Sequence, residues 1–298
     1  MCSASATFAQ APPQGSEFKI STDVELVLLD VSVGKAKGGY VSGLNKDNFQ
    51  VYESGVLQKI TQFGSADVPV TVGLVIDDSG SMRHKRDHVV TAGLVFAGAS
   101  NPRDEIFVVN FNDQVRRGLP EGIAFTDNIQ LLRTALMRDK AEGRTALYDA
   151  IILALKHLGS GVCEKKALVL VSDGGDNIST HTLKELLRIV QESRATIYTV
   201  GIFDPDDPDR NPGVLKSIAG ISGGESYLPR DLDEIVPICR TIAKDIRNRY
   251  TIGYVPIRTG DKAALRKIRV VAIAPSEGKL TVRTRTSYML PGRQEAGK

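Results

Sequence analysis

Apolar positions along this chain change their pattern twice. From Phe18 to Phe63 they read as β-structure. VELVLLDVSV (24–33) is dense in β-branched and aliphatic residues, and GKAKGGY breaks it. FQVYE, a turn at Ser54–Gly55 and VLQKITQF then read as a hairpin. From Val68 to about Arg249 apolar strands alternate with amphipathic helices. The strands are VTVGLVI (70–76), EIFVVNF (105–111), KALVLVS (166–172) and ATIYTVGI (195–202). Helical spacing marks 85–99, 128–137, 146–158, 181–193, 213–222 and 232–249, the last with Pro237 as a kink or a late start. After Tyr250 the pattern returns to β, in YTIGYVPI, LRKIRVVAIA and KLTVRTRTSYML.

Near-continuous apolar strands separated by helices predict a parallel sheet covered on both faces. The flanking β blocks are each too small to stand alone. The economical arrangement joins 17–65 and 250–290 into one antiparallel β-sandwich, with an α/β domain, 66–249, inserted between its halves. Two separate β appendages are the alternative. PGRQEAGK (291–298) reads as a disordered tail. Residues 1–16 read either as a disordered leader or as the remnant of an export signal. TFA and AQA resemble the small-x-small pattern before a cleavage site, while the basic start and apolar core of a signal are missing.

Composition narrows the function class. The 298 residues are 42% hydrophobic and 24% charged, as in a soluble globular protein, and the net charge is only +3. So weak and dispersed an excess gives no footprint for nucleic acid, and no apolar run approaches the roughly 18 residues of a membrane span. Cys2, Cys163 and Cys239 form no CxxC or CxH pattern. Buried free thiols are expected rather than a Cys163–Cys239 bridge or a thiolate metal site.

Ligands bind beyond the carboxyl ends of the strands in a sheet of this kind. The polar residues there are Asp77, Ser79 and Ser81 after the first strand, Thr145 just before a helix, and Asp173 in SDGGDN. All are hard oxygen donors, which suit Mg2+, Mn2+ or Ca2+ rather than zinc. Two acids and three hydroxyls leave a divalent ion short of negative charge, so it would accept a carboxylate from outside. The following helix should turn its positive end toward the site. Gly80, Gly143 and Gly174 read as backbone permissiveness around it.

In order and placement, Asp77-x-Ser79-x-Ser81, Thr145 and Asp173 resemble the metal-ion-dependent adhesion site (MIDAS) of the von Willebrand factor type A (VWA) domain, over about residues 66–249. The resemblance implies a doubly wound, mostly parallel six-strand sheet. It implies that Ser79 and Ser81 bind the metal directly, that Thr145 joins when a ligand is engaged, and that the acids act directly or through water. The flanks, FKISTDVELVLLDVSV to VLQKITQF and RYTIGYVP to VRTRTSYML, are similar to Acidobacteria-type VWFA-related proteins, which are generally exported.

The expected function is non-catalytic: a metal-dependent adhesion or protein-binding module that captures an Asp or Glu carboxylate of its partner. The expected location is secreted, periplasmic or on the cell envelope, with the cytoplasm as alternative. A scaffold or assembly factor is the alternative function. A Mg2+-dependent phosphatase would want Asp-x-Asp, and here the second acid is Ser79. No P-loop, G-x-G-x-x-G or G-x-S-x-G is present. Asp78 is read as a bystander, Asp176 as an anchor of its own loop, and Asp113 as a turn residue. RHKRDH (83–88) is read as a solvated helix start, against a basic collar that steers an acidic partner. His84 and His88 lack a third zinc ligand. DPDDPDRNP (204–212) is read as an exposed loop, against a specificity loop or second calcium site.

Overall fold

The computed structural model describes residues 26–35, 39–65, 67–203, 208–257 and 264–290. The expected leader and tail lie outside the described residues. The α/β block opens with β5 (Val70–Asp77), in which every residue is buried. An unbroken apolar run of this kind has a stable place only at the centre of a sheet with cover on both faces. β5 lies there, between β6 (Glu105–Phe111) and β8 (Lys165–Ser172). Outward on one side come β9 (Thr196–Gly201) and the two-residue β10 (Ser226–Tyr227), and on the other β7 (Val115–Arg117). All neighbours are parallel except β7, which turns back on β6. The sheet is therefore six-stranded and mostly parallel. β7 and β10 are too short to show in the hydrophobic pattern.

Helices α1 (Arg86–Gly98), α2 (Ile129–Leu136), α3 (Leu147–Leu158), α4 (Leu183–Glu192), α5 (Pro212–Ser222) and α6 (Ile235–Arg247) cover it. α1 packs on α2 and α6, and α4 packs on α3 and α5. Pro237 falls in the first turn of α6, behind a 3-10 turn at Leu232–Glu234, so it marks a late start and not a kink.

The flanking segments build two antiparallel sheets of four strands. One has the order β13 (Leu280–Arg283), β1 (Val27–Lys35), β11 (Tyr250–Tyr254), β4 (Ile60–Gly64). The other has β14 (Ser287–Leu290), β12 (Ala264–Ala272), β2 (Phe49–Glu53), β3 (Val56–Gln58). Their facing side chains share one core, including Leu29, Val31, Val51, Tyr250, Ile252 and Val270. This core is separate from that of the α/β unit.

Two apparent strands each divide. VLQKITQF becomes β3 and β4, in different sheets, parted at Lys59; KLTVRTRTSYML becomes β13 and β14, again in different sheets. The pattern hides the crossing because both sheets point the same parity inward. Gln58 and Ile60 are both buried, and Val282 and Tyr288 both meet the common core.

Buried charge joins the two units. Asp245 on α6, fully inaccessible, accepts from Ser32 Oγ of β1 at 2.5 Å and Tyr198 OH of β9 at 2.6 Å. It also pairs with Arg249 at 3.2 Å and Arg283 of β13 at 3.1 Å. Arg249 in turn donates to the carbonyls of Asp30 and Gly223.

Candidate metal centre

Register brings the site together. Ile76 lies beside Val171 and Asp77 beside Phe111, so β5, β6 and β8 end at one edge. There the Asp77 carboxylate is held on both sides. Oδ1 accepts from the Ser79 amide at 2.9 Å, and Oδ2 accepts from Ser172 Oγ at 2.6 Å. The first bond folds the chain back and sends the next residues over the strand end. Ser79 and Ser81 hydroxyls stand 3.2 Å apart, and Ser81 Oγ donates to Asp173 Oδ2 at 2.5 Å. The other Asp173 oxygen accepts from the Gly175 amide at 3.0 Å.

Ser79, Ser81 and Asp173 thus form one run of hydroxyl and carboxylate oxygens, and Asp77 is tied to it through the Ser79 amide. Thr145 lies on a neighbouring loop, clasped to the metal loop where the Gly80 amide donates to Gly143 O at 3.1 Å. Asn177 fixes it by two bonds, Thr145 N to Asn177 Oδ1 and Asn177 N to Thr145 O, each 3.0 Å. Thr145 is only 6% exposed, and its hydroxyl makes no hydrogen bond among the described residues.

Asp77 and Asp173 are each 2% exposed, and among the described residues neither has an ion-pair partner. Burial, and after it the charge of Asp173, pushes the Asp77 carboxyl up to about 7. Two buried carboxylates without a cation are costly, and a divalent ion would remove that cost. The donor set therefore fits a hard cation. Among the described residues no three His, Cys, Asp or Glu gather in metal-binding geometry, so any ion here must draw on the hydroxyls.

The neighbouring residues sort differently from the sequence reading in several places. Asp78 stands apart from this set of oxygens and has a structural task. Its carboxylate turns away to Arg86 and to Asn110 Nδ2 at 2.9 Å, while its carbonyl accepts from Glu142 N. The basic stretch is only in part the solvated helix start expected: Arg83, His84 and Asp87 are exposed, but two of its cations are committed inward. Lys85 is buried and donates to Ile202 O, Arg86 is committed to Asp78 and Leu136 O, and Arg83 Nε holds Ala141 O. A 3-10 segment, Gly80–Lys85, also separates the site from α1, so that helix does not present its N-terminus directly.

Asp176 anchors the Tyr148 amide, at the start of α3, as well as Ser179 of its own loop. Asn112, not Asp113, caps the β6–β7 turn; Asp113 pairs with Arg144 and lies against Gly143. His84 is exposed, and His88 stands 3.9 Å from Asp233. Cys163 and Cys239 are free thiols. Of DPDDPDRNP, residues 204–207 lie outside the described residues. The remainder braces the site: Asn211 donates its amide to Asp173 O and caps α5, and Asp209 accepts from Asn177.

Ser172, Asn177 and Asn211 were the residues missed. Ser172 could have been found, since it sits beside Asp77 once the parallel register is drawn. Asn177 had no signal beyond standing next to SDGGD, and Asn211 none beyond its place just before a helix.

Residues 72–175 match the family model of the von Willebrand factor type A domain. No curated protein matches the chain. Among solved structures it is similar to a von Willebrand factor type A protein from Catenulispora acidiphila, 16% identical, with a TM-score of 0.53 over 90% of this chain and 74% of that one. It is similar also to proximal thread matrix protein 1 from the mussel byssus, 13% identical, with a TM-score of 0.51 over 65% of this chain and 51% of that one. The vWF domain of the type V pili tip protein Mfa5 from Porphyromonas gingivalis is 14% identical, with a TM-score of 0.46 over 66% of this chain and 99% of that one. At these identities the likeness concerns the fold.

Proposed function

We propose, from the premise that this chain carries a von Willebrand factor type A domain over residues 72–175, that it is a non-catalytic protein-binding module dependent on a divalent metal. Asp77, Ser79, Ser81, Thr145 and Asp173 would hold Mg2+, or Mn2+ or Ca2+ in its place. The ion would supply a site for one carboxylate oxygen of an Asp or Glu on the partner. The observation that carries this reading is the linked set Asp77, Ser79, Ser81 and Asp173, two buried acids tied together through Ser79 and Ser81, with no protein cation paired to either acid among the described residues. The free Thr145 hydroxyl beside it supports a fifth donor. The second acid a phosphoryl-transfer site would want is Ser79, which supports binding over catalysis. A position outside the cell or on its envelope suits an adhesive role.

The test is a melting curve in millimolar Mg2+ against EDTA. Mg2+ raises the melting temperature of the wild-type protein, and Asp77→Ala and Asp173→Ala each abolish the rise. A wild-type protein indifferent to both conditions sinks the metal centre. A phosphatase screen showing turnover that Asp77→Ala removes sinks the non-catalytic reading.

A further inference from the structure

We infer that the partner is an acidic segment that runs on from the metal centre into an arginine-lined groove at the β7 edge of the sheet, an extension that rests on the metal reading above. The groove has a volume of about 480 Å3, and its lining includes Arg116, Arg117 and Arg138 with the apolar Leu119, Pro120 and Ile123. β7 is an edge strand of the sheet, so this flank is open. The protein fixes one guanidinium with its own backbone. Arg138 Nη1 donates to Arg117 O at 2.9 Å and to Gly118 O at 3.4 Å. Among the described residues no carboxylate pairs with Arg138 or Arg117, while Arg116 shares Asp139 at 3.1 Å.

Guanidinium groups presented this way are suited to carboxylates, which they bind through paired charge-assisted hydrogen bonds. The single acid in the groove lining is Glu121. The apolar side chains in the lining can take the methylenes of a Glu.

Groove and metal centre are the two ends of one loop. Arg138 opens the stretch that ends at Thr145, and its later part is clasped to the metal loop through Gly143 O. Those eight residues span at most about 25 Å from first to last if fully extended. Arg83 and the exposed Arg144 lie along the way. One carboxylate on an ion selects poorly among acidic surfaces. A second acid held by Arg117 and Arg138 sets the direction of the bound segment and the spacing between its acids.

The experiment uses fluorescein-labelled octaglutamate, long enough to reach both ends, with octaserine as the neutral control. Anisotropy is read in Mg2+ and in EDTA for the wild-type chain, Asp173→Ala and the double variant R117E/R138E. The Mg2+-dependent melting shift is recorded for each. The expected result is octaglutamate binding that EDTA and Asp173→Ala both weaken. R117E/R138E weakens it about tenfold or more while keeping the Mg2+ shift. Charge reversal that leaves octaglutamate affinity unchanged, with the shift intact, overturns the groove and leaves the metal centre standing. No Mg2+ shift in the wild-type chain removes the metal reading. Octaglutamate binding that is then EDTA-insensitive but reversal-sensitive reduces the groove to a plain basic patch and overturns the two-ended site.

Discussion

Asp77 is the residue on which the site turns. Its carboxyl is pushed up to about 7, first by burial and then by Asp173. Without metal, the folded protein therefore keeps a proton that the unfolded chain has released above about pH 4, and stability falls as pH rises from there toward 7. Asp77→Asn removes this contribution. In EDTA, the stability of the variant relative to wild type should rise between about pH 4 and about pH 7 and level off above that in urea titrations; a flat difference contradicts it. With Mg2+ present the proton and the ion compete for one carboxylate. The Mg2+ affinity of the wild-type protein should fall as pH drops below about 7, read by calorimetry. The candidate ligands were legible in the sequence because three of them share five consecutive positions. The tasks of Asp78 and Arg86 were not, because they depend on Asn110 and Leu136, which only the folded sheet brings near.

The loop after β8 is held by conformation as much as by bonds. Gly174 has φ of +82°, and a Cβ there would lie 2.4 Å from Asn211 O. Gly174→Ala should therefore cost about 1–3 kcal/mol in urea denaturation and loosen Mg2+ binding, since Asp173 is the preceding residue. Stability within a few tenths of a kcal/mol of wild type would show that the loop yields. Elements with long periodic patterns were readable: β5, β6, β8, β9 and the six helices all stand near their expected places. β7 and β10 were not, being three and two residues long. The breaks at Lys59 and near Arg285 were silent because alternation continues through them, each half facing the same core from a different sheet.

The two units are joined through the charges around Asp245. Burial opposes ionisation there, but Arg249 and Arg283 overcome it and hold the carboxyl below the usual range. Its stabilising contribution is present above about pH 4 and is lost as pH falls through the lowered value. Asp245→Ala takes the carboxylate from the buried Arg249, while Arg283 keeps Glu225, and should cost about 3–5 kcal/mol. The loss should fall on the junction, so equilibrium unfolding followed by separate probes in the α/β unit and the sandwich should no longer coincide. A cost below about 1 kcal/mol, with coincident transitions, would mean the junction is held by other contacts.

The braided order of the sandwich has a consequence for the chain's birth. β2 and β3 can pair at once as a hairpin, but β1 pairs with β11 and β13, β2 also with β12, and β4 with β11, so these ladders wait until the last strands have been made. Roughly 185 residues separate Gly64 from Tyr250, which takes the ribosome about 10 to 40 s. Through that interval the intervening unit can close on its own local contacts while the leading strands remain sticky and unclaimed. A holding chaperone should bind the nascent chain in that window, and release should coincide with the emergence of β11 to β14.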